Sequence, residues 1–419
     1  MKLRRSSAAL VVACTSIGML ATAPAIATTA QTPAAQTATA TPGDTLQQRL
    51  DAILASPTVS DEVKAKVREI SALLPSDFSE QMATTRARLG VGDTQWSQIA
   101  ASAIDPDDYE CSDTQLRDWM RGQTSDWGFA EVLIYSFMPW SDFVTYDALV
   151  YGSESKTATF GSDGEYTNLL RSQMKDLRDF WDVPGQDIEL IPMHGGDVFA
   201  DQERFARVLT FAFSGDPDEP IEPEVRELAG LLIDLLDVAP GLSDGNHPIF
   251  SFNAFAFDPQ DTGLDVSKRI IMGDGIMEGM TGVGVGPKVG PRSILAHEYG
   301  HQVQYAHNLF ESDLTGPEAT RRTELMADAY GAYFLVHARG EALNQKRTLD
   351  GLRASYLVGD CGFTNPGHHG TPNQRAGAAS WAVKQVNSAP DQGHILPTLT
   401  YADRFDAALP MITAPDAEE

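Results

Sequence analysis

His297 and His301 stand four residues apart, with Glu298 directly after the first, in the run Leu295-Ala296-His297-Glu298-Tyr299-Gly300-His301-Gln302-Val303-Gln304. On a helix, residues four apart share one face, so this spacing aims two imidazoles at one point, where a metal ion would sit. Glu298 follows about 100° further round the helix, beside the metal and within reach of a water bound there. Two imidazoles and a carboxylate base are the parts of a metal-assisted hydrolysis, and zinc is the metal such ligands suit. A catalytic zinc takes three protein ligands and leaves the fourth position to water, so the pattern is one ligand short.

Three residues compete for that place. Glu324 and Asp328 belong to a second expected helix, which opens at Gly316-Pro317 and continues through Tyr330; one turn apart, they face the same way. In this arrangement Glu324 is the ligand, and Asp328 orients a ligating histidine through its other ring nitrogen. Asp328 as the direct ligand is the second possibility. His307 is the third, at the spacing of the last histidine in the metzincin pattern, but Gln304 stands where that pattern needs a glycine to turn the chain back.

The elements around these residues occupy a chain of 419 residues that is 42% hydrophobic, enough for one large or two modest domains with a sizeable core. Residues 1–27 read as an export signal: Lys2, Arg4 and Arg5 form a basic start, an apolar run extends from Ala8 to Ala21, and Ala25-Ile26-Ala27 offers a cleavage site. Val11-Val12-Ala13-Cys14 leaves lipoprotein anchoring through Cys14 as an alternative, and Arg4-Arg5 leaves the twin-arginine route open. No later stretch is long and apolar enough to span a membrane, since Leu228 to Leu242 is short and contains Asp234 and Asp237. The formal net charge of -27, made more negative by loss of the signal, repels nucleic acid and anionic membrane and argues nucleic acid out as a partner. With Cys14 in the signal, Cys111 and Cys361 remain, and an even pair in an oxidising compartment predicts one disulfide.

Residues 28–44 are nearly all Thr, Ala, Gln and Pro and read as a disordered linker. Residues 45–110 read as a helical segment of two amphipathic helices, either packed on the main domain or serving as an inhibitory pro-segment, with Asp105-Pro106-Asp107-Asp108 as a boundary. The main domain extends over residues 111–390, with a tail at 391–419. Within it the pattern predicts a strand at Glu131 to Phe137, a helix at Tyr166 to Trp181, a strand at Ile188 to Met193, and helices at Asp201 to Phe213 and Pro223 to Leu236. Strands at Pro248 to Phe257 and Lys268 to Met272 come next, then glycines at 282, 284 and 286 that suit a loop at the rim of a cleft, and a helix opening at Gly290-Pro291. Strands and helices mix without a repeating βαβ rhythm, so the fold class is α+β.

The segment from His297 to Gln304, taken with Glu324-Leu325-Met326-Ala327-Asp328, resembles the gluzincin peptidases, and most closely the bacterial neutral zinc metallopeptidases. His369-Gly370-Thr371-Pro372-Asn373-Gln374-Arg375 resembles the segment that follows the third ligand in that family. Asn253-Ala254-Phe255-Ala256 is similar to the edge strand before the metal helix in zinc peptidases related to the prenyl proteases, where an extended substrate pairs with the sheet. Together these motifs cover roughly residues 250 to 385. The resemblance implies a zincin-like domain: a mixed sheet with an edge strand, an active-site helix, then a helical C-terminal part. It implies a peptide or protein substrate, one zinc ion on His297, His301 and Glu324, Glu298 as general base, and His369 (or His368) as a donor to the developing oxyanion. A non-catalytic zinc- or protein-binding module on the same fold is the rival expectation.

Overall fold

The structure is a computed structural model that describes residues 46–90, 111–260, 262–361 and 368–416. The expected signal, Cys14, the linker and the acidic boundary at 105–108 lie outside the described residues.

Three helices come first: α1 (Leu46–Ala55), α2 (Asp61–Leu73) and α3 (Phe78–Leu89). Two were expected; Pro75 makes the difference, because it forces Leu74 into the extended conformation and ends α2 there. Helices α4 (Gln115–Gln123), α5 (Phe129–Phe137) and α6 (Trp140–Tyr146) follow, the last running into a π-helical turn at Asp147–Tyr151. Helix α5 corrects the strand expected at Glu131 to Phe137. Its apolar run has no readable period, and Leu133, Ile134 and Phe137 are buried at helical spacing instead. Helix α7 (Thr167–Phe180) and strand β1 (Ile188–Met193) agree with expectation, the short α8 (Gly195–Phe199) was not foreseen, and α9 (Gln202–Ser214) and α10 (Pro223–Asp237) stand where predicted.

The long strand expected from Pro248 is corrected too. Pro248–Ser251 is a 3-10 turn started by the Ile249 amide donating to the His247 ring at 3.2 Å, and strand β2 is only Ala254–Phe257. Strand β3 (Lys268–Gly273) and helices α11 (Asp274–Gly282), α12 (Gly290–His307), α13 (Pro317–Val336), α14 (Gln345–Leu357) and α15 (Pro372–Asn387) complete the expected domain. The stretch read as a tail contributes α16 (Thr398–Ile412), with Tyr401 and Phe405 buried. Tyr401 donates to the Ala329 carbonyl at 2.8 Å, and Arg322 forks onto Asp406 at 2.8 and 2.7 Å, so α16 braces α13.

The sheet has the order β1-β3-β2, with β1 parallel and β2 antiparallel to β3. Alternation along the strands divides the apolar residues between two cores. Ile188, Leu190, Ala254, Ile270 and Met272 face the core built by α4, α7 and α11 to α16. Ile191, Met193, Phe255, Phe257 and Ile271 face the core built by α1 to α3, α5, α6 and α8 to α10. The fold is therefore mixed α and β, mostly helical, with a small sheet between two helical layers. No helix among the described residues is long and apolar enough to cross a membrane.

Candidate metal centre

Helix α12 starts with Pro291 in its first turn, where the missing N–H costs nothing, and ends at Asn308 in the left-handed conformation. It is buried on nearly every side, so its polar residues must find partners inside the protein. Gln302 does so by donating to the Phe257 and Arg269 carbonyls at 3.2 and 2.8 Å, which ties α12 to the sheet. Glycines then set the approach of α13: a Cβ on Gly300 would stand 3.0 Å from the Ala327 backbone, and one on Gly331 would stand 3.0 Å from the His297 nitrogen. At that range the acids of α13 reach the histidines of α12.

His297 and His301 bring their Nε2 atoms to 3.1 Å, and each lies 3.4 Å from an oxygen of Glu324. His297, Glu298 and His301 also offer one ligand atom each within 4.8 Å of one another, a group that could hold a metal ion. The outward ring nitrogens are engaged. His297 Nδ1 is 3.0 Å from Asp328 Oδ1, and His301 Nδ1 is 2.7 Å from Gln304 Oε1. Gln304 in turn donates to the Thr323 carbonyl at 2.7 Å. Arg375 donates to Asp328 through Nε at 2.7 Å and Nη2 at 3.0 Å. A capping box of Thr371 and Gln374 sets the start of α15 and so the position of Arg375.

The donors fit a cation. Both oxygens of Glu324 and Nε2 of His369 are buried without a hydrogen-bond partner among the described residues, a costly arrangement that a bound cation would relieve for the carboxylate. Electrostatics agrees. Burial works against a charged His297, but Asp328 and Glu324 outweigh it and push the imidazole up to about 9. Burial likewise opposes ionisation of Glu324, yet His301 and His369 hold its carboxyl well below the usual range. Asp328 is held low against burial by Arg375 and His297. His369 is raised against burial by Glu324 and Asp360. The surroundings of Glu324 thus favour positive charge beside its carboxylate.

A cavity opens beside this group. Its polar wall is His297, Glu298, Asp328, His369 and Arg375, its apolar wall is Ala254, Ile276, Met280, Ile294, Ala354 and Val358, and Ser293 and Ser355 also line it. His369 reaches the cavity, while His368 is buried outside its lining with Nδ1 2.7 Å from Asp360 Oδ1. His307 belongs elsewhere, with Nε2 2.7 Å from Thr398 Oγ1. Strand β2 is the edge strand expected from Asn253 to Ala256, but its residues are buried and Ala254 alone of these four lines the cavity. Phe255 faces the opposite core, Ala256 is buried, and the Asn253 carbonyl accepts from the Gly273 amide at 3.0 Å. None of the described residues of α1 to α3 lines the cavity. Cys111 and Cys361 form a disulfide across 250 residues of sequence.

Three contributors escaped the sequence reading. Gln304 stands one turn after His301 and could have been found by that spacing. Arg375 lies inside the segment from His369 onward, but nothing local tells that its partner is Asp328. Asp360 has no motif around it. Comparison of the chain with protein-family models, with curated proteins and with solved structures finds no match.

Proposed function

We propose that this chain is an exported zinc-dependent peptidase with a zincin-like domain, in which His297, His301 and Glu324 hold one zinc ion and Glu298 is the general base. The observation that supports this most is Glu324: a buried carboxylate on a separate helix, 3.4 Å from both Nε2 atoms, with neither oxygen hydrogen-bonded among the described residues. Two imidazoles and a carboxylate form a donor set of the kind zinc takes, and zinc when bound supplies Lewis acidity that acidifies water and polarises the scissile carbonyl.

The chain's own residues do the rest. Glu298 lines the cavity next to His297, so it takes the proton from the attacking water and returns it to the leaving amine. His369 lines the same cavity and, as an imidazolium with a proton on each ring nitrogen, donates from Nε2 to the oxyanion as it develops. Asp328, held by Arg375, keeps His297 in the tautomer that leaves Nε2 for the metal. Ala254, at the start of the edge strand, offers a point beside which an extended peptide can lie. The disulfide, with the signal expected at residues 1–27, supports an extracytoplasmic address.

The test compares purified wild type with Glu298→Gln for zinc content and for hydrolysis of a broad peptide library. Both proteins are expected to hold one zinc per chain, while the variant loses activity by roughly 10²- to 10⁴-fold. Equal inactivity of the two with zinc bound would favour a non-catalytic binding module instead.

A further inference from the structure

Asp360, next to Cys361 in the chain, engages two histidines at once. Its Oδ1 is 2.7 Å from His368 Nδ1, and its Oδ2 lies 2.8 Å from both the amide and Nδ1 of His369. The Asp360 amide donates to the Gly370 carbonyl at 3.0 Å, which pins the two stretches together. Burial opposes its charge, but the His368 and His369 hydrogen bonds hold the carboxyl well below the usual range. An ionised carboxylate only accepts, so both Nδ1 atoms carry protons, and His369 donates from Nε2 as the imidazolium, with a proton on each ring nitrogen. For His369, the one of the pair that lines the cavity, this engages Nδ1 and leaves Nε2 buried without a hydrogen-bond partner among the described residues.

The support for Asp360 comes from far away in the chain. Cys111, just before α4, is bonded to Cys361, just after α14, and Thr114 donates to the Leu357 carbonyl at 2.7 Å. The metal-binding side chains stand on α12 and α13, neither of which contains a bridged cysteine. We propose that Asp360 is a positioning residue for His369, and that the Cys111–Cys361 disulfide holds it in place, so that catalytic competence depends on this bond while metal binding does not. The catalytic half of this inference rests on the peptidase reading; the positioning half does not. Reduction by an external dithiol breaks the S–S bond, delivers two electrons and two protons to the cysteines, and closes the dithiol into its own disulfide.

Two readouts test it: kcat and KM with zinc content, and the low-field NMR signals of the His368 and His369 Nδ1–H protons, followed in zinc-loaded and zinc-free protein. Asp360→Asn is expected to lower kcat by about 10²-fold, the scale of losing one oxyanion donor, with KM little changed and zinc retained. Both proton signals should disappear or shift. Reducing the wild type under conditions where it stays folded should lower kcat and weaken the signals, and reoxidation should restore both. Unchanged kcat in Asp360→Asn, or zinc lost in parallel with kcat, would overturn the positioning role. Full kcat and intact signals in reduced protein would overturn the role of the disulfide. If wild type and Glu298→Gln prove equally inactive, the peptidase reading has failed, and the NMR arm still decides. Signals lost in Asp360→Asn and on reduction support positioning through the disulfide; persistent signals overturn it.

Discussion

The two helical layers on either side of the sheet bury their residues for different reasons. In the layer of α1 to α3, α5, α6 and α8 to α10, the fully buried side chains are mostly apolar, such as Ile53, Val67, Phe205 and Leu232. Ion pairs there include Arg204 with Asp147, whose arginine stays half-buried. In the layer of α12 to α16, His301, Gln304, Glu324 and Arg375 are each at most 1% exposed. Burying polar groups in this way is costly unless each finds a partner. One layer is therefore organised for packing, and the other accepts electrostatic cost to hold a set of donors in fixed geometry. The N-terminal helices belong wholly to the first kind: α1 packs on α5, α2 on α10 and α3 on α9, and none of their described residues lines the cavity.

The sharpest way to break this contrast is to cut the polar layer where charges meet. Arg375→Ala leaves Asp328 buried without its fork, and it is expected to cost about 3–5 kcal/mol of stability and to weaken metal binding as His297 loses its orientation. Thermal melts and a metal titration would check both. A variant as stable as wild type would mean that this buried pair is replaceable packing like that of the other layer. Next in size, Gln304→Ala removes the acceptor of His301 Nδ1. Metal affinity should fall by about 10- to 100-fold with the fold intact, measured by competition with a chelator. Smallest is Ile53→Val in the apolar layer, which should cost about 0.5–1.5 kcal/mol and leave metal affinity and kcat unchanged. An effect on kcat there would show that the two layers are not independent.

Much of the polar layer was legible because its candidate ligands are local. The four-residue spacing of His297 and His301, and of Glu324 and Asp328, survives folding intact, since a helix converts sequence distance directly into a shared face. The Cys111–Cys361 bond was legible by elimination, with the third cysteine in the expected signal. What escaped was decided by contacts across the chain. Asp360 and Arg375 look like ordinary surface charges until α13 and α15 pack, and α16 looks like a tail until Tyr401 meets Ala329. In the apolar layer the errors were of another kind. The run from Val132 to Tyr135 is apolar at every position, and such a run serves a buried helix as well as a strand. The expected strand from Pro248 failed for a local reason, since proline and His247 favour a turn that shortens it.

The central claim is that zinc sits between α12 and α13 with a glutamate as its third protein ligand. Anomalous diffraction at the zinc edge from crystals of the zinc-loaded protein tests it most directly. One peak is expected, bonded at about 2.0–2.2 Å to His297 Nε2, His301 Nε2 and a Glu324 oxygen, with Glu298 beside it and His307 remote. A peak coordinated by Glu298 or His307 in place of Glu324, or no peak at this site, would contradict the account.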